Sequence, residues 1–106
     1  MALRHKWLDK TQTELDETIE YVFREFGDKV AESVYVEVKA CVLRLTEFPN
    51  SGLRYKDLFY QGNEVRIFHM QKSTIIYCHN NEMLFILSIW NNRRDDSKIA
   101  ELLAER

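Results

Sequence analysis

Apolar residues recur at helical spacing through the first half of the chain and at a period of two through much of the second. Leu3–Leu8 alternates loosely and predicts a short opening strand. Thr11-Gln12-Thr13-Glu14 reads as a capping box, in which a Thr oxygen accepts from a first-turn N–H and Glu14 reaches back. Leu15, Ile19, Val22, Phe23 and Phe26 then form one apolar stripe of a first helix. Gly27 stops it, because a residue without Cβ adopts positive φ without a clash. Asp28 is expected to cap a second helix, whose apolar face is Val30, Ala31, Val34, Val38, Cys41, Val42, Leu45 and Phe48. Pro49 ends that helix by disfavouring the α region at Phe48. With a connection of a residue or two at Gly27, the helices must form an antiparallel hairpin.

Pro49-Asn50-Ser51-Gly52 is turn chemistry. Leu53–Gly62 holds Tyr55, Phe59 and Tyr60 without a clean period, and the pattern assigns it no element. Beyond it Val65, Ile67 and His69 point one way and Arg66, Phe68 and Met70 the other, as in a strand. Ser73–His79 is a second strand, and Asn80-Asn81 suits a tight hairpin because asparagine tolerates positive φ. Met83–Trp90 is apolar on both faces, as expected of a strand inside the sheet. A polar loop, Asn91–Asp96, leads to a short helix from about Ser97 to the end. The reading is α+β: a short N-terminal strand, an antiparallel helix hairpin, a three-stranded antiparallel meander and a short C-terminal helix.

Length and charge narrow the function. A chain of 106 residues fits one domain, residues 1–106, able to bury roughly two-thirds of its unfolded surface without metal or disulfide. The N-terminus lacks a signal peptide's apolar stretch, and no window nears the roughly 20 apolar residues of a membrane span, so a cytoplasmic location is expected. Cys41 and Cys78 are expected as buried free thiols rather than a disulfide. The net charge is -2, and from Glu64 onward six Lys and Arg face six Asp and Glu. That is not the basic excess of a protein that neutralises many phosphates. No Cys, His, Asp or Glu cluster has metal-ligand spacing, and neither a phosphate loop nor a nucleophile elbow is present, so no cofactor is expected.

Five segments, in order and at these spacings, carry a resemblance. They are Leu15-Asp16-Glu17-Thr18-Ile19-Glu20-Tyr21, Leu45…Phe48-Pro49…Gly52, Glu64-Val65-Arg66, Thr74-Ile75-Ile76-Tyr77, and Ile86-Leu87-Ser88-Ile89-Trp90-Asn91-Asn92-Arg93-Arg94-Asp95. Over nearly its whole length the chain resembles the RelE/ParE superfamily, the toxins of bacterial type II toxin–antitoxin systems. The last segment, an apolar strand ending in a polar pair and Arg-x-Asp, resembles the ParE-like branch. The resemblance implies a toxin neutralised by a cognate antitoxin, with DNA gyrase as the target in the ParE-like branch. The RelE-like alternative is a ribosome-dependent endoribonuclease acting on mRNA. Three departures favour the gyrase branch: Thr74 stands where cutting members carry an arginine, Phe68 where a second basic residue would project, and no His or Tyr follows Arg94. Losing one transition-state donor costs on the order of a hundredfold in rate.

Each candidate residue has a structural counterpart reading. Arg66, Trp90, Asn91, Asn92, Arg93 and Arg94 are the target-binding candidates. In a nuclease Arg66, Arg93 and Tyr77 would be catalytic. Arg66 is alternatively a strand arginine paired with Glu64 or Glu82, and Arg93 and Arg94 partners of Asp95 and Asp96. Tyr77 and Trp90 read more readily as strand and core aromatics, and His69 and His79 as solvent-facing or hydrogen-bonded strand residues. Tyr55, Phe59 and Tyr60 are candidates for holding the antitoxin, through an added strand and an amphipathic helix, or else close the core beneath the hairpin.

Overall fold

The computed structural model describes residues 2–92 and 98–104. The elements run β1 (Arg4–Trp7), α1 (Asp9–Phe26), α2 (Asp28–Glu47), β2 (Leu53–Tyr60), β3 (Asn63–His69), β4 (Ser73–His79), β5 (Met83–Asn91) and α3 (Ile99–Ala104). One five-stranded sheet has the order β1-β5-β4-β3-β2. The four strands β2–β5 are antiparallel neighbours, and β1 adds to β5 in parallel. The α+β architecture expected from the sequence holds, with one strand more in the meander.

That strand is β2, which carries the segment the pattern left unassigned. Its alternation fails because its pairing shifts: Arg54 lies opposite Arg66, yet Phe59 lies opposite Glu64. Extra residues on β2 form a wide irregularity there, which breaks the period of two.

Each face of the sheet has its own apolar layer. On one, Leu15, Val22, Ala31, Val34, Val38, Val42 and Leu45 of the hairpin pack on Ile75, Tyr77, Leu84, Ile86 and Ile89. On the other, Ile99 and Leu103 of α3 pack with Val65, Ile67, Ile76, Cys78, Leu87 and Trp90. From Ser73 to Cys78 β4 is buried without a break, as a central strand covered on both sides must be. β5 changes phase part-way: Ile76 pairs with Ser88 but Tyr77 with Ile86, leaving Leu87 as an inserted residue. Leu84 and Ile86 therefore share the hairpin face with Ile89.

That bulge is where α1 begins, and it overturns the capping box. α1 starts at Asp9 with no side-chain cap. Thr11, buried within the helix, places Oγ1 3.1 Å from the Ile86 carbonyl and 3.2 Å from that of Leu87. Glu14 accepts from Ser88 Oγ at 2.8 Å. Both residues serve the bulged strand: Thr11 donates to its displaced carbonyls and Glu14 accepts from its Ser88 hydroxyl. Asp28 likewise does not cap α2; it is the first helical residue, after Gly27, which alone joins the helices at φ 91°.

Three expected core residues lie outside the core. Phe23 is 52%, Phe26 50% and Phe48 59% exposed, because they sit at the hairpin's rim and exit. The Asn80-Asn81 turn forms, but not through positive φ, which among described non-glycine residues occurs only at Gln61. Instead Asn80 Oδ1 accepts from the Glu82 and Met83 amides, both at 2.8 Å. The expected start of the last helix at Ser97 lies outside the described residues.

Candidate functional site

The hairpin face of β3 and β4 gathers Arg66, Tyr77 and His79 around the turn that follows α2. Arg66 and Tyr77 are cross-strand partners. Tyr77 is fully buried; its hydroxyl donates to the Pro49 carbonyl at 2.7 Å and accepts the Gly52 N–H at 2.8 Å. Arg66 donates to the Gly52 carbonyl at 2.7 Å, with Glu64 3.7 Å from its other terminal nitrogen. His79 Nε2 lies 3.0 Å from Asn50 Oδ1. Burial pushes the Tyr77 phenol above its ordinary value, partly offset by the Gly52 N–H and Arg66. The phenol therefore stays protonated at neutral pH, a fixed strut for the turn rather than a group open to a substrate. The sequence marked 49–52 as a turn but not as the hub of these contacts. Gly52 has to be glycine: a Cβ there would lie 2.7 Å from the Tyr77 hydroxyl and 2.8 Å from the Ile67 carbonyl.

At the exit of β5 the polar residues clasp the β3–β4 hairpin. Asn92 donates to the Met70 carbonyl at 2.7 Å and the Gln71 carbonyl at 2.9 Å. Thr74 donates to Asn92 Oδ1 at 2.6 Å and lies 2.9 Å from His69 Nδ1. The Thr74 hydroxyl has one proton to give, so in this chain Nδ1 of His69 is the donor. Asn92, a target-binding candidate, thus has both ends of its amide engaged within the fold. Trp90 is buried against α3, 3% exposed, and is core. Asn91 is half-buried beside Glu14, Glu17 and Thr18. Arg93 and Arg94 lie outside the described residues.

Tyr55 and Tyr60 are half-buried against the α3-side layer, so they do not close the core beneath the hairpin; Phe59 beside them is 52% exposed. Cys41 and Cys78 are buried free thiols, held by burial at about 11 and about 12 respectively. Among the described residues no three His, Cys, Asp or Glu side chains gather to hold a metal ion, and no helix is long and apolar enough to cross a membrane.

Residues 6–96 match the family model described as the ParE toxin of the type II toxin–antitoxin system parDE. The chain belongs to the ParE toxin family. Its fold agrees: the solved structure of the chromosomal ParDE toxin–antitoxin system from P. aeruginosa superposes with a TM-score of 0.68. That match covers 85% of this chain and 96% of the other at 18% identity, and at that distance it bears on the fold alone. No curated protein matches the chain. In this ParE-family chain the candidate residues differ in how far the fold engages them. Arg66 and Tyr77 on β3 and β4 are drawn into the frame, whereas among the described residues exposed apolar side chains lie on the hairpin and on β2.

Proposed function

We propose that this ParE-family chain is a toxin that inhibits DNA gyrase without doing chemistry itself, and that a cognate antitoxin neutralises it. One observation carries the first part. Of the three catalytic candidates for an RNA-cleaving reading, Tyr77 is buried with its hydroxyl used twice, and Arg66 is committed to the Gly52 carbonyl and Glu64. General acid–base catalysis needs groups within reach of the substrate, and transition-state stabilisation needs cations with hydrogen bonds to spare. Phe68 and Thr74, at the neighbouring strand positions, add no cation. Arg93 and Arg94, which follow β5 in the sequence, are left as the target-binding candidates. The antitoxin reading is supported by β2, an outer strand with Leu53 and Phe59 exposed, which suits an added strand.

Inducing the chain alone in a bacterium, with pulse-labelling of DNA and protein synthesis over the first minutes, tests the target. DNA synthesis should fail first, and Arg93→Ala should relieve the block. Translation stopping first would overturn the gyrase reading.

A further inference from the structure

The side of α2 turned away from the sheet is not uniformly polar. Ala31, Val34, Val38, Cys41, Val42 and Leu45 bury the inner face. On the outer face Val36, Ala40 and Leu43 fall at i, i+4 and i+7, one stripe along the helix. Val36 is 59% and Leu43 58% exposed, and Ala40 between them is exposed as well. Single exposed apolar residues are ordinary on a surface, but two branched side chains flanking an alanine make a ridge and a gap that another helix can fill. This stripe is separate from the groove between α1 and α2, which α2 lines with Asp28, Ala31, Glu32 and Tyr35.

Charges beside the stripe decide what fits it. Glu37 and Arg44 each follow a stripe residue by one position, so both stand on the flank opposite the groove. About 10 Å of helix rise separates them, too far to pair with each other. Among the described residues neither forms an ion pair. Glu32 and Lys39 take the corresponding places on the other flank.

Three ways of packing two such helices differ in the charges they bring together. In a parallel pair residues five apart meet across the seam, so Glu32 would face Glu37 of the second copy and Lys39 its Arg44. An antiparallel pair with Val36 opposite Ala40 of the second copy sets Glu37 against its own counterpart. An antiparallel pair with Ala40 opposite Leu43 of the second copy sets Glu37 beside the other Arg44, and the reverse by symmetry. In that register alone the charges are complementary, and small Ala40 receives Leu43 twice. The stem of Glu47 lies over Val36 of the second copy, with its carboxylate free to reach water.

We infer that a second copy of this chain docks on this face, the two α2 helices antiparallel about a two-fold axis in the Ala40-to-Leu43 register. A two-fold contact requires each charge and its opposite on the same surface, and this face carries both. A net charge of -2 leaves little long-range repulsion between copies. The stripe is short, so the contact is weak and depends on concentration. The inference goes beyond the reading above and rests on neither the target nor the antitoxin, so pulse-labelling and the following test fail separately.

The test is analytical ultracentrifugation of the purified full chain without a partner. It runs from about 10 µM to about 1 mM, because the face is smaller than the roughly 800 Å² per partner of a standard complex. The chain should pass from monomer to dimer over that range. Glu37→Arg and Arg44→Glu, both at exposed positions, should each weaken association by at least about tenfold, since symmetry makes two like-charge contacts from one substitution. Mixing the two variants should restore association, because each then supplies the charge the other lacks. Leu43→Asp should abolish it, and thermal unfolding should stay unchanged throughout. In the unaltered protein, amide shifts that depend on concentration should centre on residues 33–47, which keeps the test decisive if a variant misfolds. A chain that stays monomeric at about 1 mM would overturn the inference. So would association that survives both single substitutions, mixed variants that stay apart, or shifts centred elsewhere.

Discussion

At the scale of single residues, Tyr77 and Gly52 show how a side chain on a family motif is absorbed by the fold. The phenol links β4 to the turn after α2 through one donated and one accepted bond, in a site closed to water. Removing the hydroxyl strands a buried amide and a carbonyl. Tyr77→Phe should therefore lower stability by about 1–3 kcal/mol, read as a shift in the denaturant midpoint. Gly52→Ala should cost about 1–3 kcal/mol by overpacking. The loss should persist in a Tyr77→Phe background, because the Ile67 carbonyl, 2.8 Å from the added Cβ, stays in place. If Gly52→Ala became neutral there, the hydroxyl alone would be the obstacle.

At the scale of elements, the join between α1 and β5 decides how the hairpin sits on the sheet. Thr11 Oγ1 reaches two carbonyls flanking the bulge, and Glu14 meets Ser88 one helical turn further on. Thr11→Val keeps the shape and removes the donor. It should destabilise the chain by about 1–3 kcal/mol, where loss of an exposed cap would cost about 1 kcal/mol or less. Faster hydrogen exchange around Ile86–Ser88 would mark the loss as local to the bulge; no change in stability would mean that water serves those carbonyls.

At the scale of the whole molecule, three ionisable groups bury their neutral forms. Burial holds Cys41 at about 11 and Cys78 at about 12, and raises Tyr77. Each native value lies above that of the unfolded chain, near 9.0 for the thiols and 10.0 for the phenol. The folded state therefore holds the protons more tightly. Their contribution to stability is complete below pH 9 and is lost as pH rises through 9 to 12. Denaturant midpoints should be level from about pH 7 to about pH 8.5 and then decline, and Cys41→Ala with Cys78→Ala should flatten the onset. A level profile in the parent chain through about pH 10.5 would show that these sites admit water.

The helices, the strands β3, β4 and β5, the hairpin turn and the resemblance to the ParE-like branch were legible in the sequence, because each rests on local periodicity or on short motifs. β2 was not, since its irregular pairing with β3 erases the alternation that betrays a strand. Nor were the roles of Thr11, Glu14 and Asn92: a polar residue near a helix start or a strand end looks alike whether it caps its own element or reaches one distant in the chain. Phe23 read as part of the apolar stripe of the first helix, yet it lies 52% exposed at the hairpin's rim. Period and composition are properties of neighbours along the chain. Which carbonyls a bulge exposes, and which two helix faces share a groove, are fixed only once distant segments pack.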